Sequence, residues 1–186
     1  RFVSRYFESL HTCLNRRAEE EGSPFVRWLF IQFPSPDSSF TDCCSLKKTF
    51  AEKQLDGVSF NYLEEFLGAK EILQAIRDYT VLARKSADLL PLLAEHFHFS
   101  NSHMNFFPYA RDDFIESFQG WRALERCLQN TAFQVYADSC TPQRFFLFPL
   151  ENCPWERMLT AAVHTRNKGP VYGAQHSTIR PTDLRY

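Results

Sequence analysis

Histidine and cysteine are the side chains in this chain whose type and spacing could do chemistry. His96-Phe97-His98 with His103 is the densest imidazole cluster. On a strand, His96 and His98 would share a face, and their ring nitrogens could bind a metal with Asp112 or Asp113 adding a carboxylate. No cysteine or acidic residue sits at ligand spacing inside the cluster, and interleaved phenylalanines suit a helix end running into a loop. Surface or packing histidines are the expected reading. Cys127, Cys140 and Cys153 are evenly spaced, with His164 further on. Structural zinc sites bring ligands in close pairs, because one tight turn must present two sulfurs to one ion. No such pair occurs here, and buried thiols are expected.

A thiolate nucleophile beside His164 or His176 is arithmetically open, but no local signature supports it. The acidic runs Glu19-Glu20-Glu21, Glu64-Glu65 and Asp112-Asp113 fit solvated helix ends and faces. Glycine-rich phosphate loops, nucleophile elbows and paired-histidine zinc motifs are absent, and only 6 glycines are available to build such loops. The expectation is therefore no catalytic, cofactor-binding or metal-ligating residue.

The chain has 186 residues, the size of one domain, and 19 of them are phenylalanine, so its core and contacts should be aromatic. Phe97, Phe99, Phe106 and Phe107 cannot all point inward, and a partner contact is the natural use of the remainder. Lys plus Arg is 21 against 22 for Asp plus Glu, which argues against a surface built wholly to grip phosphate. Arginine, the cation suited to planar pairing at interfaces, supplies 15 of the 21. The six cysteines show no disulfide framework, so a reducing intracellular compartment is expected. No apolar run is long enough to span a bilayer. The acid-poor start with Arg1 and Arg5 suits the mature side of an organellar cleavage, which suggests the mitochondrion.

These residues need elements to position them. Val3, Tyr6, Phe7, Leu10, Cys13 and Leu14 predict an amphipathic helix over 2–20. Phe25 to Phe33 reads as a short strand, and a helix follows from Thr41 or Asp42 to about Leu55. Ser59 opens the longest helical region, reaching Leu82 and Ala83, and Ser86 or Asp88 restarts a helix through Leu89 to Phe97. Pro91 is acceptable there only in a first turn. His96 to Tyr109 reads as a loop, and Asp112-Asp113 starts a helix through Leu128. Ala132–Ala137 and Phe145–Leu150 are expected to pair as a hairpin, and a last helix runs from Asn152 or Pro154 to Lys168-Gly169.

The expected fold is thus α-rich α+β: about five helices around an aromatic core, with a minor two- or three-stranded β element. Residues 1–168 form one globular helical domain, and 169–186 form an extended C-terminal tail. Pro170, Gly173 and Pro181 interrupt that tail, and its isolated apolar residues cannot build a core. Holding roughly 17 such residues still costs on the order of 20 kcal/mol of backbone entropy, so another molecule is expected to immobilise them. Tyr172, Arg180, Arg185 and Tyr186 then join the aromatic loop as partner-binding residues. The function these features suggest is a non-catalytic accessory or structural subunit of a large multiprotein assembly. The alternatives are a small enzyme with a Cys/His pocket, and a peripheral RNA-contacting protein of a ribonucleoprotein such as a mitochondrial ribosome, using the basic balance of residues 164–186.

Overall fold

Hydrophobic alternation and helical periodicity compete in this chain, and tertiary packing decides between them in the computed structural model. It describes residues 7, 9–22, 26–31, 40–52, 58–98 and 101–175, with backbone alone at 40, 43, 44 and 51. The elements run α1 (Leu10–Glu20), β1 (Val26–Phe30), α2 (Phe40–Glu52), β2 (Val58–Tyr62), a 3₁₀ turn (Leu63–Phe66) and α3 (Ala69–His96). They continue with α4 (Phe107–Phe118), α5 (Trp121–Ser139), β3 (Phe146–Leu150), α6 (Pro154–Thr165) and β4 (Val171–Gln175). The fold is helix-rich α+β, with six helices and two small parallel sheets among the described residues.

Both sheets are strand–helix–strand units. β1 pairs with β2 from Val26↔Val58 to Phe30↔Tyr62 across α2, and β3 pairs with β4 from Phe146↔Val171 to Leu150↔Gln175 across α6. A parallel pair needs such a crossover, because a two-residue turn can join only antiparallel strands. The register sets Trp28 beside Phe60 and Phe30 beside Tyr62 on one face. There Phe30 stacks on Phe50 of α2 at 5.6 Å and Phe50 on Phe60 at 4.8 Å. Each such ring pair contributes about 0.5–1.5 kcal/mol beyond the area it buries. The opposite face of β1 sends Leu29, and the residue just past the strand, Ile31, to the main core.

That core is held by the C-terminal half of α5. Ala132, Phe133, Tyr136 and Ala137 recur at helical spacing and meet Leu63 on one side, with Phe146, Phe148, Trp155, Leu159 and Val163 on the other. Five expectations change here. Ala132–Ala137 is helix rather than a strand, because the branched and aromatic residues on which the strand reading rests are more deeply buried on a helical stripe. Phe146–Leu150 accordingly pairs in parallel with β4 and not in a hairpin. Val58–Tyr62 is a strand paired with β1, where a helix opening at Ser59 is expected, and helical backbone begins only at Leu63. The two helices expected over 59–97 are one helix, α3, of 28 residues, and Pro91 lies in its penultimate turns. The helix predicted from Asp112 through Leu128 is broken at Gln119-Gly120 into α4 and α5.

In the stretch expected to be an extended tail, residues 171–175 are the strand β4, and residues 176–186 lie outside the described residues. Gly169 makes the entry to β4 possible. Its φ of 138° is open to glycine, and a Cβ there would stand 2.3 Å from the Gln143 carbonyl oxygen. Removing the ring at the centre of the core tests this architecture. Phe133 is fully buried, so Phe133→Ala should lower unfolding free energy by about 3–5 kcal/mol in urea denaturation, with loss of near-ultraviolet dichroism.

Candidate functional site

The apolar groups left in water are unevenly placed. Among the described residues, thirteen large hydrophobic side chains are exposed, and eleven of them fall between Ile72 and Trp121. None of the buried core-cluster residues lies in that span. The reason is geometric: α3 is about 42 Å long at 1.5 Å per residue. Its inward stripe of Ala75, Tyr79, Leu82, Ser86, Leu90 and Leu93 faces the layer formed with α4 and α5. The remainder of its circumference has no second layer over it among the described residues. Leu73 is 63% exposed and Leu92 is 53% exposed, and Trp121, at the first turn of α5, is 64% exposed.

Polar bonds hold this layer in place. The Tyr79 hydroxyl donates to the Gln119 carbonyl, and the Gln119 amide donates to Ser86 Oγ at 3.3 Å, which fixes the α4–α5 corner against α3. Asn105 ties the other end: its amide donates to the Ala94 carbonyl, and its Oδ1 accepts from the Phe107 N–H at 2.8 Å. One side chain thus satisfies an end of α3 and the start of α4. The loop between them closes by the His98↔Asn105 bridge and the Phe106 N–H to Phe97 carbonyl bond at 2.9 Å.

The sequence-predicted residues separate accordingly. Phe97 is exposed, and its ring meets Phe107 edge-on at 6.4 Å. Phe107 is buried and also packs on Phe114, so it supports the surface without being part of it. Phe106 is half-buried. Tyr172 is exposed on β4, distant in sequence from that loop, with its ring edge against Phe145. Phe99, Arg180, Arg185 and Tyr186 lie outside the described residues. The contributors missed by sequence reading are Leu73, Leu89, Leu92, Met104, Tyr109 and Trp121; for those on α3 the signal was present as apolar residues off the main stripe.

The titratable groups do other work. Glu156 is buried at the start of α6, and its carboxylate accepts the N–H groups of Glu151 at 2.8 Å and Asn152 at 3.1 Å. It holds the β3–α6 turn, in which Asn152 has φ 62°. Burial, with the Glu156 and Glu151 carboxylates beside it, pushes the Cys153 thiol up. Burial and Asp78 do the same for Cys127. Cys140 is buried, with Arg27 Nη1 3.9 Å from its sulfur. A raised thiol pKa leaves little thiolate at neutral pH, and the thiolate is the nucleophile. His96 is exposed beside Glu95, and among the described residues no three His, Cys, Asp or Glu side chains form a group that could hold a metal ion.

Two cations counted in the basic 164–186 stretch are spent inside the domain. Arg166 forks onto Asp138 through Nε and through Nη2 at 2.9 Å and also reaches Gln134, and Lys168 donates to the Cys140 carbonyl at 2.6 Å. The Arg166 bond holds the Asp138 carboxyl below its ordinary range. Among the described residues, no helix is long and apolar enough to cross a membrane.

Two measurements check these assignments. With alkylation mapped by mass spectrometry, of the four cysteines whose side chains are described, exposed Cys13 should be labelled first, Cys127 and Cys153 slowly, and buried Cys140 only on unfolding. In an NMR titration Asp138 should ionise below the ordinary carboxylate value of about 3.9, and Arg166→Gln should move it back up. Because the folded pKa is the lower one, the stability this pair adds is present above that ordinary value and is lost as pH falls through the folded one. No protein-family model, no curated protein and no solved structure matches the chain.

Proposed function

We propose that the chain is a non-catalytic structural subunit of a larger protein assembly, docking through the outer surface of α3, the α3–α4 loop and the α4–α5 corner. The observation that carries this reading is the concentration of exposed apolar side chains on that one helical layer, away from the main core. Exposed apolar side chains concentrated on one part of a protein are characteristic of protein contacts. Polar groups stand near Tyr109 and Trp121 in sequence: Arg111 and Asp112 at 3.8 Å, and Arg122 and Asp113 at 3.9 Å, form loose pairs. Loose, exposed pairs cost little to rearrange when a partner arrives.

The polar chemistry supports the same reading. The half-buried thiols are kept protonated, the buried carboxylate Glu156 is committed to two backbone donors, and Arg166 and Lys168 are already bonded within the domain. Trp121 is the candidate anchor, because a large flat side chain buries much area at small entropic cost.

Native co-purification with cross-linking mass spectrometry tests the proposal. Cross-links to partner subunits should cluster on residues 72–121. Leu89→Ser with Leu92→Ser, and separately Trp121→Ala, should weaken partner retention by about thirtyfold or more, as loss of an interface anchor does, while leaving the melting temperature of the isolated chain nearly unchanged. Retention of the same partners at wild-type strength by both variants would refute it.

A further inference from the structure

Among the described residues, the β3–β4 sheet has two open edges, and they are built differently. The Phe146 N–H donates to the Pro170 carbonyl at 2.8 Å, which sets the backbone parity of the whole ladder. In a strand, the N–H and C=O of one residue point to the same side, and successive residues alternate. Phe146, Phe148 and Leu150 therefore turn their backbone toward β4, and Leu147 and Pro149 turn theirs to the open edge of β3. Proline has no N–H to offer there, so that edge is blunted.

The outer edge of β4 lacks any such device. By the same parity Pro170, Tyr172 and Ala174 bond toward β3, and Val171 and Gly173 direct their N–H and C=O outward. The strand Val-Tyr-Gly-Ala-Gln holds neither charge nor proline. Gly173 is exposed although a Cβ on it would press on Leu150 at 3.2 Å and the Phe148 ring at 3.3 Å. Its inner side is thus closed by packing, and what solvent reaches is the backbone at the edge. Tyr172, 56% exposed, stands directly beside it.

We infer that this edge pairs with a second copy of the chain: β4 meets β4 antiparallel about a two-fold axis at Tyr172. The register is self-complementary. Val171 faces Gly173 of the other copy, and both are outward-facing residues, so each such pair exchanges two hydrogen bonds and the axis repeats the pair. Tyr172 falls opposite Tyr172 at a non-hydrogen-bonded position, where strands come closest and aromatic side chains pair best. With no charge in the segment, like-charge repulsion does not oppose pairing across the axis. The product is a continuous four-stranded sheet in the order β3-β4-β4-β3, with proline at both outer edges. Four strands are also a more stable unit than an isolated pair. The contact is separate from the helical layer proposed above for other subunits.

Sedimentation equilibrium on the whole chain tests this. The wild-type chain should be a reversible dimer. Tyr172→Lys and Tyr172→Glu each place like charges opposite each other at the axis and should weaken dimerisation at least about tenfold, with circular dichroism unchanged because the side chain is exposed. An equimolar mixture of the two variants should recover the dimer, since Lys then faces Glu. A wild-type chain that stays monomeric at every concentration overturns the inference. So do single variants that dimerise like the wild type, and a mixture that stays monomeric.

Discussion

The C-terminal half of α5 is the wall against which everything else is placed. Phe133 is fully buried there, with Ala132 and Ala137 beside it allowing neighbouring backbones to come close. The 3₁₀ turn after β2 contributes Leu63 and Phe66 to one side, and Phe66 meets Tyr136 edge-on at 5.2 Å. β3 and α6 contribute Phe148 and Trp155 to the other, themselves edge-on at 5.5 Å. A two-stranded sheet is marginal in water. Packing both strand–helix–strand units on one helix gives each sheet a layer beyond its own crossover helix. The stability of two small sheets therefore rests on one aromatic contact surface.

Polar side chains fasten the joints of this fold. Glu156 closes the β3–α6 turn, Arg166 ties the end of α6 to Asp138 of α5, and Asn105 clasps α3 to α4. Each bond joins elements whose apolar faces alone would leave the relative angle open, since hydrophobic contact is non-directional. Burial also raises the Cys127 and Cys153 thiols, and a raised thiol is a poorer nucleophile at neutral pH.

The long helix α3 gives the molecule its asymmetry. It packs against α4 and α5, and none of the main core's buried residues lies between Ile72 and Trp121. Apolar side chains that a thicker protein would cover are left in water on that side. The exposed apolar surface thus follows from the length of one helix relative to the core.

Much of this was legible in the residues. The strand at Val26–Phe30 follows from a short aromatic and branched run before proline, and α6 follows from Pro154 and Glu156 ahead of an apolar stripe. The helix-rich α+β class and the absence of a close-paired ligand motif are likewise local properties of composition and spacing. Other features depended on residues far apart in the chain. Ala132–Ala137 has a local preference that suits a strand, and the helix prevails because only a helix brings Phe133, Tyr136 and Ala137 onto one buried face. Val58–Tyr62 needed β1 as its partner, and Val171–Gln175 needed β3, since a strand completes its hydrogen bonds only with a neighbour. Which phenylalanines are exposed was also undecided locally: Phe97 and Phe107 stand in the same aromatic run, one in water and one buried, because the Asn105 clasp turns the chain between them. Periodicity and composition thus determined the kinds of element, and their partners, faces and exposure came from long-range packing, whose free energy depends on contacts that no short window of sequence contains.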